Sequence, residues 1–391
     1  MNRIPLLVLI AALLLSPSAG AQKKEKRYDP ARPSIAAPQD SNFAGSYFLL
    51  GMARLSKDPE GAAAAFHWAR RIDPSLADAF YAERIARHLS DTRQLGDYLV
   101  RNRSVMHRKE VLEIDSLQIE ALIRNPMLNP RLDRAMLEMF VDNATGEANM
   151  IPWDHADPAN AAWLAMSEGQ FDQAAEYYGK ALKRSKNSYG YNLDRALAFY
   201  LAMRPDSSLA ALDAYLEARR KDEKKEVIFV YQSKAMAEYT EGWVYDRVGN
   251  RDKAKEAYGR ALTEDLSFAM AHSALGDLAQ QAGDTATSLQ EYDLAVQLRG
   301  EDPFLRLHYG NALVAAGRTE DATVQFEKAV ILEPYYALPW LALGKASDRL
   351  GRKDRAIEAY QTFIQRAHDG LRKDIVTASE RLKALKPAGG A

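Results

Sequence analysis

Residues 303–334 read PFLRLHYGNALVAAGRTEDATVQFEKAVILEP, and the pattern of this stretch recurs at a step of 34 residues through the C-terminal half of the chain. Three series keep that step: Gly242, Gly276, Gly310 and Gly344; Gly249, Gly283, Gly317 and Gly351; and Tyr258, Tyr292, Phe326 and Tyr360. Such a period is typical of a pair of helices that stacks on copies of itself, because one pair cannot bury its apolar face alone. The repeat therefore predicts an all-α protein, an α-solenoid of stacked helix-turn-helix units.

Each of the three series has a steric role in this interpretation. The first glycine of a unit lies where its first helix crosses its second, and a side chain larger than that of Ala would overpack there at a cost of about 1 to 3 kcal/mol. The aromatic residue projects from the second helix into the space between units. The second glycine ends the first helix in the left-handed conformation that L side chains avoid.

The unit that opens at Pro303 resembles the tetratricopeptide repeat, since it carries the residues of that family in the expected order: Tyr309-Gly310, Gly317, Ala322, Phe326, Ala329 and Pro334. The following unit is similar, although Phe363 replaces its final small residue and His368 its proline. The resemblance implies a right-handed superhelix in which the first helices form a concave wall. It also implies a role in binding other proteins.

The repeat is regular in only part of the chain, which indicates several segments. The predicted order is a signal peptide (1–21), a flexible linker (22–42), degenerate repeat-like helices (43–100), an irregular helical insertion or hinge (101–154), two repeat units (155–222), a helix extension (223–234), four regular units (235–370), and a capping helix with a disordered tail (371–391).

The N-terminus predicts export. Arg3 precedes an apolar run from Leu6 to Leu15, and Ala19-Gly20-Ala21 forms a small-x-small cleavage signal. The alternative is an uncleaved membrane anchor, but the run is shorter than the about 18 to 20 apolar residues that span a bilayer. We therefore expect cleavage after Ala21, a periplasmic or secreted location, and no stable membrane insertion of the mature protein.

The composition gives no indication of chemistry. The chain has no cysteine, which excludes disulfides, metal-thiolate sites and thiol catalysis. Its 52 Lys and Arg residues balance 53 Asp and Glu residues, so nucleic acid is not the indicated partner. No histidine pair has the spacing of a helical zinc site, and no phosphate-binding loop or nucleophile elbow occurs. We predict no catalytic residue, no metal site, no cofactor, and a protein that is not an enzyme.

If the protein binds a partner, the resemblance places the site on the concave wall. The inward positions of the regular units include Tyr239, Trp243, Asp246, Arg247, Ser273, Asp277, Gln280, Phe304, Leu307, Asn311, Val314, Leu341, Lys345, Asp348 and Arg349. The partner-binding residues that we select from them are Tyr239, Trp243, Arg247, Asp277, Phe304, Asn311 and Lys345. Tyr239, Trp243 and Phe304 suggest an apolar anchor pocket for a helix or an extended segment. The alternative is that two of these three rings pack between units.

Three functions remain open. The first is a scaffold or adaptor that binds a protein or peptide partner, for example in an envelope assembly or secretion complex. The second is a structural subunit that associates with itself as a homo-oligomer. The third is an accessory domain of an enzyme complex, in which residues 101–154 would supply the chemistry.

Overall fold

A computed structural model of the chain describes residues 28–92, 108–128, 157–184, 189–222 and 234–386. By its contacts the chain divides into a unit that ends at Ala31 and a unit that begins at Arg32. Residues 28–31 contain no helix or strand, so the described helices all belong to the second unit. The predicted signal peptide and the predicted helix extension up to residue 233 lie outside the described residues.

The described residues form seventeen α-helices and no strand, which confirms the all-α prediction. The first eight helices are Ala44–Arg54 (α1), Pro59–Ile72 (α2), Ala77–Thr92 (α3), Arg108–Arg124 (α4), Pro158–Glu168 (α5), Phe171–Arg184 (α6), Tyr191–Leu201 (α7) and Pro205–Asp222 (α8). The others are Lys234–Arg247 (α9), Arg251–Glu264 (α10), Ala269–Gln281 (α11), Thr285–Leu298 (α12), Pro303–Ala315 (α13), Thr319–Leu332 (α14), Ala337–Arg349 (α15), Lys353–Arg366 (α16) and Arg372–Leu385 (α17). None of these helices is both long enough and apolar enough to cross a membrane.

Helices α9 to α16 form four antiparallel pairs, each packed against the next. Within a pair, the crossing glycine lies directly against the aromatic ring of the second helix: a Cβ atom built on Gly242 would come within 2.6 Å of the Tyr258 ring, and one on Gly344 within 2.8 Å of the Tyr360 ring. The same contact joins Gly51 of α1 to Phe66 of α2, at 2.5 Å. The steric role inferred from the sequence is therefore present in the regular units and in the first helix pair.

The turn glycines adopt the conformation that the sequence predicted. Gly249, Gly283, Gly317 and Gly351 have φ angles between 71° and 80°. Met203 has φ 61° in the turn between α7 and α8, 34 residues after Gly169, whose φ is 78°. A methionine thus occupies the turn position that glycine occupies in the other units.

Aspartate caps explain where several helices begin. Asp58, Asp157 and Asp302 each accept a hydrogen bond from a backbone N–H of the first turn, and each precedes a proline. The proline is favourable there because its missing N–H would have no partner inside the helix. These three Asp-Pro pairs therefore start α2, α5 and α13.

The N-terminal block, which we define as residues 32–92 and 108–128, packs across turns that join successive regular units. Arg71 of α2 forms an ion pair with Glu333 at 3.1 Å, in the turn before α15. Arg124 at the end of α4 pairs with Asp302 at 2.8 Å, in the preceding turn. These two turns occupy corresponding places in successive units, so the block contacts two units in the same way.

Residues 32–42 belong to the folded body. The Arg32 side chain donates to the Tyr47 hydroxyl at 2.8 Å and stacks over the Trp68 ring at 5.2 Å. The Asn42 amide donates to the carbonyl of Gln365 at 2.8 Å. These contacts correct the flexible linker predicted for residues 22–42 over its part from residue 32 onwards, because stacking and long-range hydrogen bonds fix that part on the repeats.

The remaining predicted segments fall as follows. The degenerate helices of 43–100 are α1, α2 and α3 as far as Thr92, and the insertion of 101–154 is helical over Arg108–Arg124. The two units of 155–222 are α5 to α8, and the predicted cap at 371–391 is α17, preceded by the 3-10 turn Asp369–Leu371. Residues 93–107, 129–156 and 387–391 lie outside the described part of the chain.

Candidate functional site

The seven partner-binding residues predicted from the sequence lie on α9, α11, α13 and α15, the first helices of the four regular units. The structure divides them into three groups. Two aromatic residues on α9 are covered by the protein itself, three residues near the middle of the wall interact with neighbouring side chains, and two residues line an open groove.

Tyr239 and Trp243 of α9 are buried, with exposed fractions of 4% and 9%. The Tyr239 hydroxyl donates to the carbonyl of Ile123 at the end of α4, at 2.9 Å, and the Trp243 ring lies 5.5 Å from the ring of Tyr200. This corrects the predicted anchor pocket, since neither ring is open to a partner. Tyr239 and Trp243 instead pack against other helices of the protein, as in the alternative interpretation that two of the three rings pack between units.

Arg247, Asp277 and Phe304 interact with their neighbours on the wall. The Arg247 guanidinium stacks 3.8 Å from the centre of the Trp243 ring. Asp277 accepts a hydrogen bond from Tyr292, and burial together with the Asp277 charge raises the pKa of Tyr292 far above its usual range. The Phe304 ring lies 4.1 Å from the His308 ring. These three residues are half-buried or exposed.

Asn311 and Lys345 line a groove of about 280 Å³ between α13 and α15. Its walls are mainly aliphatic, and its lining residues are Leu307, Asn311, Val314, Phe326, Leu338, Leu341, Ala342, Lys345, Ala346 and Arg349. Leu307, Phe326 and Leu341 are buried, while Leu338 is 37% exposed at the rim. The groove therefore offers an apolar floor that is open to solvent.

The charges of the groove all have one sign. Lys345 and Arg349 are one turn apart on α15, and the lining includes no carboxylate. Lys345 pairs at 3.2 Å with Asp374 of α17, but both side chains remain at least 39% exposed, so the pair adds little stability. Asp348, which lies between the two cations in sequence, accepts hydrogen bonds from Arg381 instead. Arg349 makes no ion pair with any described residue.

The helix periodicity explains why these residues meet. Leu341, Lys345 and Arg349 are spaced by four residues and lie on one face of α15, as Leu307, Asn311 and Val314 do on α13. Six of the ten lining residues were among the inward positions predicted from the sequence. Phe326, Leu338, Ala342 and Ala346 were not, although Leu338 occupies in its unit the inward position that Phe304 occupies in the previous one.

The groove has no arrangement that suggests catalysis. Across the described ranges, no group of three His, Asp or Glu side chains is positioned to hold a metal ion. The groove itself contains an amide, an ammonium and a guanidinium, which can bind carboxylates or carbonyl groups by hydrogen bonds and charge. Its geometry suits binding of an extended or helical segment with at least one apolar side chain.

Comparisons with known proteins find tetratricopeptide repeats in three segments of the chain. The tetratricopeptide repeat model matches residues 160–223, 239–303 and 310–370. The chain is 30% identical over 106 residues to an uncharacterized protein of Haemophilus influenzae, which covers 27% of this chain and 59% of that protein. It is 33% identical over 111 residues to a TPR repeat-containing protein of Treponema pallidum, covering 28% of this chain and 14% of the relative. The chain thus covers less than two thirds of each of these relatives.

Two solved structures align with part of this chain. The C-terminal part of a TPR repeat-containing protein of Cytophaga hutchinsonii aligns with a TM-score of 0.47 at 16% identity, over 57% of this chain and 86% of that one. YrrB, described as a TPR protein with an unusual peptide-binding site, aligns with a TM-score of 0.42 at 21% identity, over 53% of this chain and 99% of that one. The three matched segments of this chain are thus similar to tetratricopeptide repeats.

Proposed function

We propose that the protein is a non-catalytic interaction scaffold that binds a segment of a partner protein in the groove between α13 and α15. The observation that carries this proposal is the groove itself, an apolar floor open to solvent beside two cations and no anion. Tetratricopeptide repeats commonly bind protein segments on this face, and two of the aromatic positions predicted there are covered by the protein itself.

The groove favours a partner segment in which acidic side chains flank an apolar one. An aliphatic or aromatic side chain would contact Leu307 and Leu341, and its burial would supply most of the binding free energy. The acidic side chains would pair with Lys345 and Arg349, which mainly increases the rate and the specificity of association. Because the Lys345–Asp374 pair is exposed, a carboxylate of the partner can replace Asp374 at small cost.

Selection of peptides from a displayed random library on the mature protein tests this proposal. We expect the selected sequences to be enriched in Asp and Glu next to Leu, Ile or Phe. Fluorescence anisotropy with one labelled selected peptide should give an affinity about tenfold weaker for the variant Lys345→Glu plus Arg349→Glu. The affinity of the wild type should also decrease as NaCl is raised.

A matched control carries the same change of charge away from the groove. Lys328 of α14 and Lys353 of α16 are exposed, and neither lines the groove. The variant Lys328→Glu plus Lys353→Glu should therefore bind the peptide within about twofold of the wild type. Equal losses in the two double variants, or selected peptides that bind both variants as tightly as the wild type, would contradict the groove as the binding site.

We also propose that the scaffold acts outside the cytoplasm, in the periplasm or after secretion, within an envelope assembly or secretion complex. The support is the sequence of residues 1–21, with its apolar run and its small-x-small signal. Mass spectrometry of the protein purified from its own host would then find Gln22 as the first residue. A chain that retains Met1 or Asn2 would rule out cleavage after Ala21.

A further inference from the structure

A second cavity lies far along the chain from the groove, where α4 and the three residues Pro126, Met127 and Leu128 meet α3, α7, α8 and α9. Its volume is about 250 Å³, the space of about eight water molecules at about 30 Å³ each. Leucine, methionine and alanine side chains make most of its wall, including Leu122, Leu193, Leu197, Leu212, Met236 and Ala237. The cavity is thus of the right size and polarity for a small organic molecule.

One carboxylate lines this cavity, beside mostly apolar side chains and three uncharged polar ones. Asp194, in the first turn of α7, is among the lining residues and makes no hydrogen bond or ion pair with any described residue. Its side chain is exposed to solvent, but the surrounding protein atoms still desolvate the carboxylate in part. Burial raises the pKa of Asp194 to about 6. The carboxylate therefore has neither full hydration nor a cationic partner.

None of the other polar groups of the cavity supplies a positive charge to Asp194. The Thr240 hydroxyl donates to the carbonyl of Met236 at 2.7 Å, and Gln118 and Tyr81 are uncharged. Among the lining side chains of α3, α4, α7, α8 and α9, Asp194 and Tyr81 are the ones that titrate, and none is a cation. Asp194 lies in the first turn of α7, where the helix dipole favours a carboxylate, and desolvation acts in the opposite direction.

We propose that this cavity binds a small organic ammonium ion, whose hydrocarbon body contacts the leucine and methionine side chains and whose N–H groups donate to the Asp194 carboxylate. An ammonium supplies both of the contacts that the carboxylate lacks, a positive charge and hydrogen-bond donors. A neutral molecule of the same shape would fill the space and leave the charge unpaired. This site is independent of the groove between α13 and α15.

Two methionines in the cavity wall provide a direct readout. Met127 and Met236 line the cavity, whereas Met203 is 87% exposed elsewhere. In the full mature chain labelled with ¹³C-methyl methionine, benzylammonium at pH 7.5 should shift the Met127 and Met236 signals with a Kd of about 1 mM or lower and leave the Met203 signal in place. Benzyl alcohol, which has nearly the same shape without the charge, should bind at least about tenfold more weakly.

The charge of Asp194 and the volume of the cavity are tested separately. Asp194→Asn should weaken benzylammonium binding at least about tenfold, while Asp206→Asn, in the first turn of α8 and exposed, should not change it. Ala237→Leu would fill part of the cavity and should abolish binding in a protein whose circular dichroism is unchanged. At pH 5.0, one unit below the Asp194 pKa, about a tenth of the carboxylate is ionised, so binding should be about tenfold weaker than at pH 7.5.

Three results would overturn the proposal. The first is equal binding of benzylammonium and benzyl alcohol, which would make the cavity a general apolar site. The second is unchanged benzylammonium binding by Asp194→Asn, which would remove the role of the carboxylate. The third is the absence of any saturable shift at Met127 and Met236 at ligand concentrations about tenfold above the expected Kd.

Discussion

The contacts inside the regular units α9 to α16 differ in kind from the contacts that attach the N-terminal block to them. Each regular unit repeats one apolar contact between a crossing glycine and an aromatic ring, such as Gly344 against Tyr360. The N-terminal block attaches to those units through ion pairs such as Arg124–Asp302, together with stacked rings. A repeated local contact thus builds the regular units, whereas isolated long-range polar contacts hold the N-terminal block against their turns.

The largest effect should come from the apolar contact of the regular units. Phe326→Ala removes a ring with 1% exposure that packs on Gly310, and it should lower the free energy of unfolding by about 3 to 5 kcal/mol. Urea unfolding followed by circular dichroism measures this. Val324→Ala, on the same helix with 46% exposure, should cost less than about 0.5 kcal/mol. Similar losses for both variants would contradict the proposed contact.

The ion pair between the block and the repeats should have the next largest effect. Arg124 and Asp302 are 6% and 3% exposed, so Arg124→Met leaves a buried carboxylate without its partner and should cost about 2 to 4 kcal/mol. A double-mutant cycle with Asp302→Asn isolates the pair, and we expect a coupling energy of about 1 to 3 kcal/mol. Because Arg299 also lies 3.6 Å from Asp302, it provides part of the remaining compensation. Additive effects would mean that the two regions do not meet there.

Two buried carboxylates, Glu83 in the N-terminal block and Glu241 in the regular units, should change the free energy of unfolding with pH in opposite directions. Burial acts to raise the pKa of Glu83 in α3, but the charge of Arg70 and a hydrogen bond from His67 lower it to about 2. Burial raises the pKa of Glu241 in α9 to about 7, with Asp213 and Glu238 adding to the effect and Arg260 opposing it. Glu83 therefore stabilises the fold above about pH 4.5 and loses this effect as pH falls to about 2. Glu241 destabilises the fold increasingly as pH rises from about 4.5 to 7.

Glu241→Gln tests the second of these pH responses. It should raise the free energy of unfolding by about 1 to 2 kcal/mol at pH 8 and leave it nearly unchanged at pH 4.5. Glu83→Gln should instead destabilise the protein at pH 8, since it leaves the half-buried Arg70 without its anion. Thermal unfolding at both pH values measures all four differences. A Glu241→Gln variant that is less stable than the wild type at pH 8 would contradict the predicted sign.

The smallest expected effects concern the turn between the two helices of a unit. Met203→Gly should stabilise the protein by about 1 kcal/mol, because it removes an L side chain from the left-handed conformation. The reverse change at an equivalent turn, Gly283→Ala, should cost about the same, since φ is 77° there and no atom lies within 4 Å of the added Cβ. Chemical denaturation of the two variants against the wild type measures both. A Met203→Gly variant that is less stable than the wild type would show that the turns are not equivalent.

Much of the regular part could be predicted from the sequence. The 34-residue step fixes where Gly242 meets Tyr258 and where Gly249 turns the chain, because both depend on local geometry that repeats. The inward positions followed from the resemblance to the tetratricopeptide repeat, and the groove between α13 and α15 is lined by Asn311, Lys345 and Arg349 from that set. Leu338 also lines the groove, and its position 34 residues after Phe304 could have added it to the predicted inward positions.

The position of the N-terminal block and the cavity around Asp194 could not be predicted. Both depend on contacts between residues that are distant in sequence and share no period. Arg124 and Asp302 are 178 residues apart, and nothing in either neighbourhood indicates the other. Tyr239 lies on the first helix of its unit as the period predicts, but the carbonyl of Ile123 that covers it comes from a segment without repeat phase. The cavity around Asp194 likewise forms where five helices meet, which a pattern within one helix cannot indicate.

The N-terminal block lies against the last regular units, and the groove between α13 and α15 stays open to solvent beside it. Because the chain has no cysteine, the pair Ser41→Cys plus Gln365→Cys can be cross-linked selectively with a short bismaleimide. Residue 42 donates a hydrogen bond to the carbonyl of residue 365, so we predict rapid intramolecular cross-linking, much faster than in Ser41→Cys plus Lys255→Cys. Equal rates in the two pairs would contradict the claim.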